Sequence, residues 1–298
     1  MTAQFTSMLF VPGGDESKLD KAARLAAPAL ILDLEDAVAH ARKARARELV
    51  ARTVAGSLPV PVWVRVNAHH PQATVADVSA VARPGLAGVL LPKVEHPHDV
   101  HAVSWLLTAR ERDQDMPSGS IRIMPTIETV AGLSAVDAIA TADPRIDCLV
   151  FGAGDFSTDV GLDWPQPGGG VGELLLSAKR RLVLASRLAG LAPPHDGAYP
   201  MFRDDDGLVV EAEQAQRLGM FGKHAIHPRQ VPLIDGVFTP TATQLEHAHA
   251  VVEAFDVSEA AGVGNLDLGG QFVDYPVVER ARALLSLAER LAGTETPA

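Results

Sequence analysis

Ile121-Arg-Ile-Met-Pro-Thr-Ile-Glu128 and, twenty residues further on, Cys148-Leu-Val-Phe-Gly-Ala-Gly-Asp155 decide the fold. Each is a short apolar run closed by an acid, the right length for a strand buried on both faces. Between them Gly132–Ala140 has helical spacing. Strand, helix, strand in that order gives a parallel pair, and every such repeat brings its strand end to one common face. The two carboxylates, Glu128 and Asp155, therefore share a face.

Outward from this unit the pattern repeats. Toward the N-terminus, Ser7–Val11, Leu30–Leu34, Val62–Val66 and Gly88–Leu91 read as strands. Helical stretches follow them at Lys18–Ala26, Arg42–Val54, Thr74–Val81 and His98–Arg110. Toward the C-terminus come a helix at Glu173–Ala189, a weak strand at Leu191–Ala198, a helix at Asp206–Leu218 and a strand at Phe221–Ile226. Eight units predict an α/β fold of the (β/α)8 (TIM) barrel kind over residues 1–235. Val11-Pro-Gly-Gly-Asp15 lacks the G-x-G-x-x-G order, which argues against an open dinucleotide-binding sheet. Residues 236–298 form a C-terminal helical extension with helices at Thr243–Phe255 and Val277–Leu291. It either covers its own barrel or reaches into a neighbouring subunit, and Gly293–Ala298 reads as frayed. Gln166–Gly172, rich in Gly and Pro, is a candidate mobile loop at the active face or a passive surface loop.

Composition excludes several classes. With 47% hydrophobic and 21% charged residues the chain buries an ordinary globular core. A net charge of −11 and no basic patch argue against nucleic acid as a partner. The densest basic run, Arg42-Lys-Ala-Arg-Ala-Arg47 beside Glu48, has the spacing of a solvated helix face. Cys148 is the only cysteine and sits in an apolar run, so it reads as a buried, inert thiol. No stretch reads as a signal peptide or membrane span, which leaves no membrane partner and a cytoplasmic location as the expectation.

Catalytic groups of such barrels lie just after the strands. The ionisable residues there are Asp33, Glu35, Asp36, Arg65, Lys93, Glu95, Glu128, Asp155, Asp196, His224 and His227. So many carboxylates would raise one another's pKa unless a cation lay among them. Oxygen ligands without cysteine select a hard ion, Mg²⁺ first and Mn²⁺ second, and Glu128 with Asp155 supplies the usual number of protein carboxylates. The same residues also suit structural roles. Glu128 and Asp155 could cap the helices that follow, Arg65 could pair with Glu35 or Glu95, Glu35 and Asp36 could be helix-start acids, and Asp274 could be a helix N-cap. Lys93 reads as structural rather than as an imine-forming lysine, His96, His98 and His101 as an exposed helix start, and His227 as a loop histidine that shapes the site.

The residues also carry a resemblance. Leu9-Phe-Val-Pro-Gly13, Leu30-Ile-Leu-Asp-Leu-Glu-Asp-Ala-Val38, Val64-Arg-Val-Asn67, Leu91-Pro-Lys-Val-Glu95 and Ile127-Glu-Thr129 match a known pattern. So do Phe151-Gly-Ala-Gly-Asp155, Gly222-Lys-His-Ala-Ile-His-Pro228 with Gln230, and Gly270-Gln-Phe-Val-Asp274. Together the chain resembles the citrate lyase β-subunit-like family, within the HpcH/HpaI aldolase and lyase superfamily of Mg²⁺-dependent barrels. The resemblance implies Mg²⁺ on Glu128 and Asp155, with Arg65 clamping the carboxylate of an α-keto acid. It implies Glu35 and Asp36 orienting water around the ion, and an acyl-thioester arm lying along the turn at Pro12 and Gly13. It further implies that Asp274 is lent by the tail to the next subunit of a homo-oligomer, a trimer or hexamer. The chain departs from the pattern at Thr6, Val130, Gly154 and the Pro194-His-Asp-Gly197 end of the seventh strand.

The expectation is a Mg²⁺-dependent carbon–carbon lyase that cleaves or forms a short β-hydroxyacyl-CoA of the malyl-CoA or citramalyl-CoA type. Its partners would be acetyl-CoA and an α-keto acid. The rivals are a citrate lyase β subunit acting on an acyl-carrier protein thioester, a pyruvate-type class II aldolase, and a catalytically silent ligand-binding subunit.

Overall fold

In the computed structural model, residues 5–294 are described except 23, 25, 26, 57, 69, 166, 167, 169 and 171. Eight parallel strands close a barrel in sequence order. They are β1 (Ser7–Pro12), β2 (Leu30–Asp33), β3 (Val62–Arg65), β4 (Leu86–Leu91), β5 (Arg122–Ile127), β6 (Val150–Phe151), β7 (His195–Asp196) and β8 (Lys223–Ala225). Closure is made by β1 on β8, with Ser7 opposite Lys223 and Met8 opposite His224. The helices are α1 (Glu16–Ala22), α2 (Lys43–Ala55), α3 (Pro71–Val81), α4 (Pro97–Asp113), α5 (Val130–Ser134), α6 (Val136–Ala140), α7 (Ala153–Asp159), α8 (Glu173–Leu188) and α9 (Asp205–Leu218), with α10 (Gln230–Phe238) after the last strand.

Side chains alternate along each strand, and the inward set explains the layering. Met8, Ile31, Trp63, Met124 and Cys148 belong to one buried apolar cluster that fills the barrel's lower half. Two residues further along the chain stand Phe10, Asp33, Arg65, Thr126 and Val150, and Glu128 follows directly on the end of β5. The interior thus turns from hydrocarbon to charge toward the strand C-termini. Phe10, Arg65, Thr126, Val150 and Glu128 all reach one cavity there. Leu30, Leu32, Val62, Val64, Val89 and Ile123, the alternate residues, are also fully or nearly fully buried. They supply the outer contact with the helices, which is why these strands read as continuous apolar runs.

Four sequence expectations change. The seventh strand shrinks from Leu191–Ala198 to two residues, because Pro193 and Pro194 have no N–H to give the ladder. The helix expected over Gly132–Ala140 is two, broken at Ala135 (φ −94°, ψ 5°). Helix α7 covers Gly154 and Asp155, which read as a strand end because glycine is a poor helix former. Helix α10, which contains Pro232 and Gly236, was not expected. The end of the helix expected over Lys18–Ala26 and part of Gln166–Gly172 lie outside the described residues, as do residues 295–298 of the expected frayed end.

The chain divides into two compact units, Met1–Val237 and Phe238–Ala298. The second has its own core of Ala248, Val251, Phe255, Val273, Val278 and Ala281. It is built from α11 (Ala242–Ala260), β9 (Leu266–Leu268), β10 (Gln271–Val273) and α12 (Tyr275–Thr294). The two strands form an antiparallel hairpin, with Gln271 opposite Leu268 and Val273 opposite Leu266. Its turn is Gly269-Gly270, with φ of 61° and 88°, the backbone a tight two-residue hairpin requires. Among the described residues no helix is long and apolar enough to cross a membrane.

Candidate active site

Arg65, Thr126, Glu128, Asp155 and Trp164 line one cavity of about 220 Å³ at the C-terminal ends of the strands. Phe10, Leu90, Val150, Phe151 and His224 complete much of its wall.

Arg65 ends β3 and is fixed from β2. Its Nε and Nη2 donate to the two carboxylate oxygens of Asp33 at 2.8 and 2.6 Å. Asp33 in turn accepts from the backbone N–H groups of Glu35 and Ala37 at 2.8 and 3.1 Å. The remaining nitrogen, Nη1, stands 3.3 Å from Glu35 and 3.4 Å from Asp36. The guanidinium also lies over the Phe10 ring, 4.9 Å from its centroid. Burial opposes the guanidinium's charge, but the Asp33 carboxylate outweighs it and raises the pKa. The structural partner expected among Glu35 and Glu95 is therefore Asp33, with Glu35 secondary.

Glu128 is 5% exposed at the end of β5. Its carboxylate does not cap the next helix; Thr129 does that, its hydroxyl accepting from Gly132 N–H at 3.1 Å. Glu128 instead accepts from the Lys93 backbone N–H at 2.7 Å, a donor presented by a left-handed Lys93 (φ 51°). Desolvation first, then repulsion from Asp155 and Glu35, pushes the Glu128 carboxyl up to about 8. Gly152 makes this placement possible, because a Cβ there would lie 2.2 Å from Glu128 Oε2. Asp155 sits in the first turn of the seven-residue α7 rather than on a strand, makes no capping bond and is 41% exposed at its side chain. The Lys93 ammonium stands 3.3 Å from Glu35 and 3.4 Å from Asp155. Burial, followed by the neighbouring Asp36, raises the pKa of Glu35 despite Arg65 and Lys93.

This crowding of oxygens is what a cation would relieve. Among the described residues no three His, Cys, Asp or Glu side chains gather as a complete metal cage. The donor set, Glu128 and Asp155 with open positions beside them, fits a hard divalent ion that keeps water or substrate as further ligands.

The other expected site residues are placed as follows. Glu35 is buried beside Arg65, while Asp36 is largely exposed at the rim. Pro12 and Gly13 are not among the residues lining the cavity; Gly13 N–H donates to Asp33 O at 2.9 Å and joins β1 to β2. Asp274 belongs to the second unit and precedes α12, with Oδ1 accepting from Val277 N–H at a long 3.4 Å. Asp196 is fully buried, ion-paired to Lys179 at 2.9 Å and Lys223 at 2.6 Å, and is not a cavity group. His227 accepts from Arg229 N–H at 3.2 Å in its loop, and His96 stands at the N-cap position of α4, its backbone N–H donating to the Asp99 carboxylate at 2.9 Å. Burial first, then the Asp147 charge, raises the Cys148 thiol well beyond the usual range, so it is inert.

Lys43 and Asn67 were missed as site residues, and Asp33, counted among the strand-end acids, was given no role. Lys43, read as part of a solvated face, donates to Leu34 O, Glu35 O and Asn67 Oδ1 at 2.8, 2.6 and 2.7 Å, and so ties down the loop carrying Glu35 and Asp36. The period of two along each strand points to Asp33 and Thr126. Nothing local in the sequence separates Lys43 from its basic neighbours.

A family model described as HpcH/HpaI aldolase/citrate lyase matches residues 6–228. The chain is 34% identical to citrate lyase subunit beta of Escherichia coli, over 95% of this chain and 93% of that one. Two proteins of Cereibacter sphaeroides are comparably similar. A (3S)-malyl-CoA thioesterase is 35% identical, covering 97% and 96% of the two chains. An L-malyl-CoA/β-methylmalyl-CoA lyase is 32% identical, covering 95% and 94%. Among solved structures, the protein CitE from Mycobacterium tuberculosis in complex with magnesium, acetoacetate and coenzyme A aligns with a TM-score of 0.79 at 29% identity, over 97% of this chain and 100% of that one.

Proposed function

The chain belongs to the HpcH/HpaI aldolase/citrate lyase family and is a carbon–carbon lyase; from that premise we propose that it uses Mg²⁺ to cleave, or in reverse to form, a short β-hydroxyacyl-CoA of the malyl-CoA or citramalyl-CoA type. The observation that carries the reading is the convergence of Arg65, Glu128 and Asp155 on one small cavity.

Cleavage removes the hydroxyl proton, breaks the carbon–carbon bond and passes its electron pair to the thioester as an enolate, which takes a proton to become acetyl-CoA. The keto acid is the other product. Arg65, held by Asp33, presents Nη1 to the keto acid's carboxylate, a charge-assisted contact that orients it. Glu128 and Asp155 would hold Mg²⁺, which supplies Lewis-acid polarisation of the oxygen on the bond-breaking carbon. Glu35 and Asp36 orient water at that site and keep negative charge beside Arg65. Phe10, Leu90, Phe151 and Trp164 exclude bulk solvent, which strengthens each of these contacts. Asp274, supplied from a neighbouring copy's tail, is the candidate for protonating the enolate, and Pro12 and Gly13 for flanking the thioester arm. A homo-oligomer, a trimer or hexamer, and a cytoplasmic location belong to the same reading.

The similarity to citrate lyase subunit beta supports a second reading, in which the thioester is carried by an acyl-carrier protein. The similarity to a malyl-CoA thioesterase supports a third, hydrolysis without carbon–carbon cleavage.

Products separate these readings. Malyl-, citramalyl- and 3-hydroxy-3-methylglutaryl-CoA are incubated with Mg²⁺ and with EDTA, using wild type and Asp155→Ala. Chelator-sensitive release of acetyl-CoA with a keto acid, abolished in Asp155→Ala, is expected. Release of free CoA with an intact hydroxy acid would point to the thioesterase. No reaction of any CoA ester with Mg²⁺ still bound would point to the carrier-protein substrate or to a silent subunit.

A further inference from the structure

The cavity floor carries an imidazole that the chemistry above does not use. His224 of β8 lines the cavity together with Thr126 of β5. Its ring meets Phe10 edge-on at 5.6 Å between centroids and meets His195 edge-on at 5.6 Å. With Arg65 stacked over Phe10, the file His195, His224, Phe10, Arg65 runs from the buried floor to the carboxylate clamp.

His224 is 2% exposed and Thr126 is 6% exposed. Among the described residues neither His224 Nε2 nor Thr126 Oγ1 has a hydrogen-bond partner. A buried polar atom left unpaired is costly, and folded proteins keep few of them without a use. Burial first, then His195, outweighs the Asp196 carboxylate and, with Lys223 and Arg65, holds His224 well below the ordinary imidazole range, so the ring is neutral. A neutral imidazole offers one donor and one acceptor and no charge. The surrounding wall, Phe10, Leu90 and Val150, is hydrocarbon and satisfies neither atom.

We propose that His224, assisted by Thr126, is the specificity-determining floor of this cavity, selecting an α-keto acid whose side chain carries a hydrogen-bonding oxygen over one of the same size made of hydrocarbon. The inference rests on the lyase reading, since it takes Arg65 as the clamp on the keto acid's carboxylate, and it refines that reading by ranking a keto acid with an oxygen-bearing side chain above glyoxylate or pyruvate, whose side chains are a hydrogen and a methyl. A keto acid held there directs its side chain along the Phe10–His224 file. One without an oxygen leaves Nε2 and Oγ1 buried and unpaired, and a site built for hydrogen bonding discriminates strongly against such an analogue.

The test uses two keto acids that differ only as CH2OH against CH2CH3, hydroxypyruvate and 2-oxobutyrate, each condensed with acetyl-CoA in the presence of Mg²⁺. Wild type should favour hydroxypyruvate by about tenfold or more in kcat/KM. His224→Leu should bring the ratio close to one without lowering Tm, because it removes an unpaired buried atom. Thr126→Val should lower the ratio in the same direction, and His224→Asn, which keeps a donor, should retain part of it. The dissociation constants of the two keto acids, measured by calorimetry with Mg²⁺, give the same ratio independently of turnover. Equal use and equal binding by wild type, or a preference that survives in His224→Leu, overturns this inference and leaves the lyase reading standing. Failure of these two acids together with glyoxylate and pyruvate, the keto acids released from malyl- and citramalyl-CoA, to bind or react overturns both.

Discussion

Asp33 holds Arg65 by two parallel hydrogen bonds, 2.8 Å to Nε and 2.6 Å to Nη2, from a position 2% exposed to solvent. The clamp residue is therefore oriented before any substrate arrives, and only one edge of its guanidinium faces outward. Removing Asp33 leaves a largely buried arginine without its main partner, a change that costs about 3 kcal/mol or more. Asp33→Ala should lose that much in urea unfolding. Asp33→Asn keeps the shape but replaces one acceptor oxygen by a donor. Its main effect should be a rise of about tenfold or more in KM for the keto acid, with a smaller change in kcat. An unchanged KM in Asp33→Asn would mean that Arg65 does not act through this pair.

Gly152 and Gly154 stand two residues apart and should respond oppositely to the same substitution. A Cβ on Gly152 would lie 2.2 Å from Glu128 Oε2 and 2.6 Å from its Cβ, so Gly152→Ala must push the Glu128 carboxylate aside. A Cβ on Gly154 would meet only Trp164 Cζ3, at an ordinary 3.7 Å. Titration with Mg²⁺ by calorimetry should show at least a tenfold weaker site in Gly152→Ala, together with about 1–3 kcal/mol of overpacking. Gly154→Ala, inside α7, should bind Mg²⁺ like wild type and gain up to about 1 kcal/mol in stability. Equal affinities in wild type and Gly152→Ala would remove Glu128 from the ligand set.

The barrel was legible because it is written in period and repeat. Apolar runs such as Leu30–Leu32 and Val89–Leu91 are buried on both faces, and their ends carry the acids and the arginine. What stayed hidden depends on distance in sequence. Asp33 and Arg65 lie 32 positions apart, Lys43 and Asn67 24, and no local pattern announces either pair. The two-residue β7 was overestimated because its neighbours Leu191 and Ala192 are apolar, while the prolines between set the limit. Helix α7 was missed because glycine and aspartate disfavour helix locally, a preference that tertiary packing of Ala153 and Phe156 overrides.

Glu111 and Arg145 predict an acid-dependent stability. Arg145 reaches the two Glu111 oxygens at 2.7 and 2.6 Å, and the N–H groups of Ile121 and Gly119 donate to them at 2.8 Å each. This joins the end of α4 to the start of β5. Burial works against the ionised Glu111, but the Arg145 hydrogen bonds and the two backbone donors outweigh it and lower its pKa. A carboxyl lowered in the folded state stabilises the protein above its unfolded value of about 4.3 and loses that contribution as the pH falls through its folded value. Urea unfolding at pH 7 should show Glu111→Gln about 3–5 kcal/mol less stable than wild type. The gap should narrow steadily below about pH 4. A gap that is constant from pH 7 to 3 would show that the charge of Glu111 contributes nothing.

Lys43 bears on function through a loop rather than through contact with substrate. Its ammonium joins Leu34 O, Glu35 O and Asn67 Oδ1, so one side chain fixes both the segment that carries Glu35 and Asp36 and the segment after Arg65. Lys43→Met keeps the apolar stem and deletes the three donors. The acceptors freed lie at the edge of the barrel and regain water in part, so the global loss should be about 1–3 kcal/mol. The local loss should be larger. Hydrogen exchange should speed up first at Glu35, Ala37 and Val38, whose N–H groups bond within this loop to Asp33 and Glu35. Turnover should fall with it, because Glu35 would no longer be held 3.3 Å from both Arg65 and Lys93. Lys43→Arg should not restore it, since a planar guanidinium cannot direct three donors from one point. Protection lost evenly across the barrel would instead make Lys43 a general stabilising residue with no particular hold on the loop.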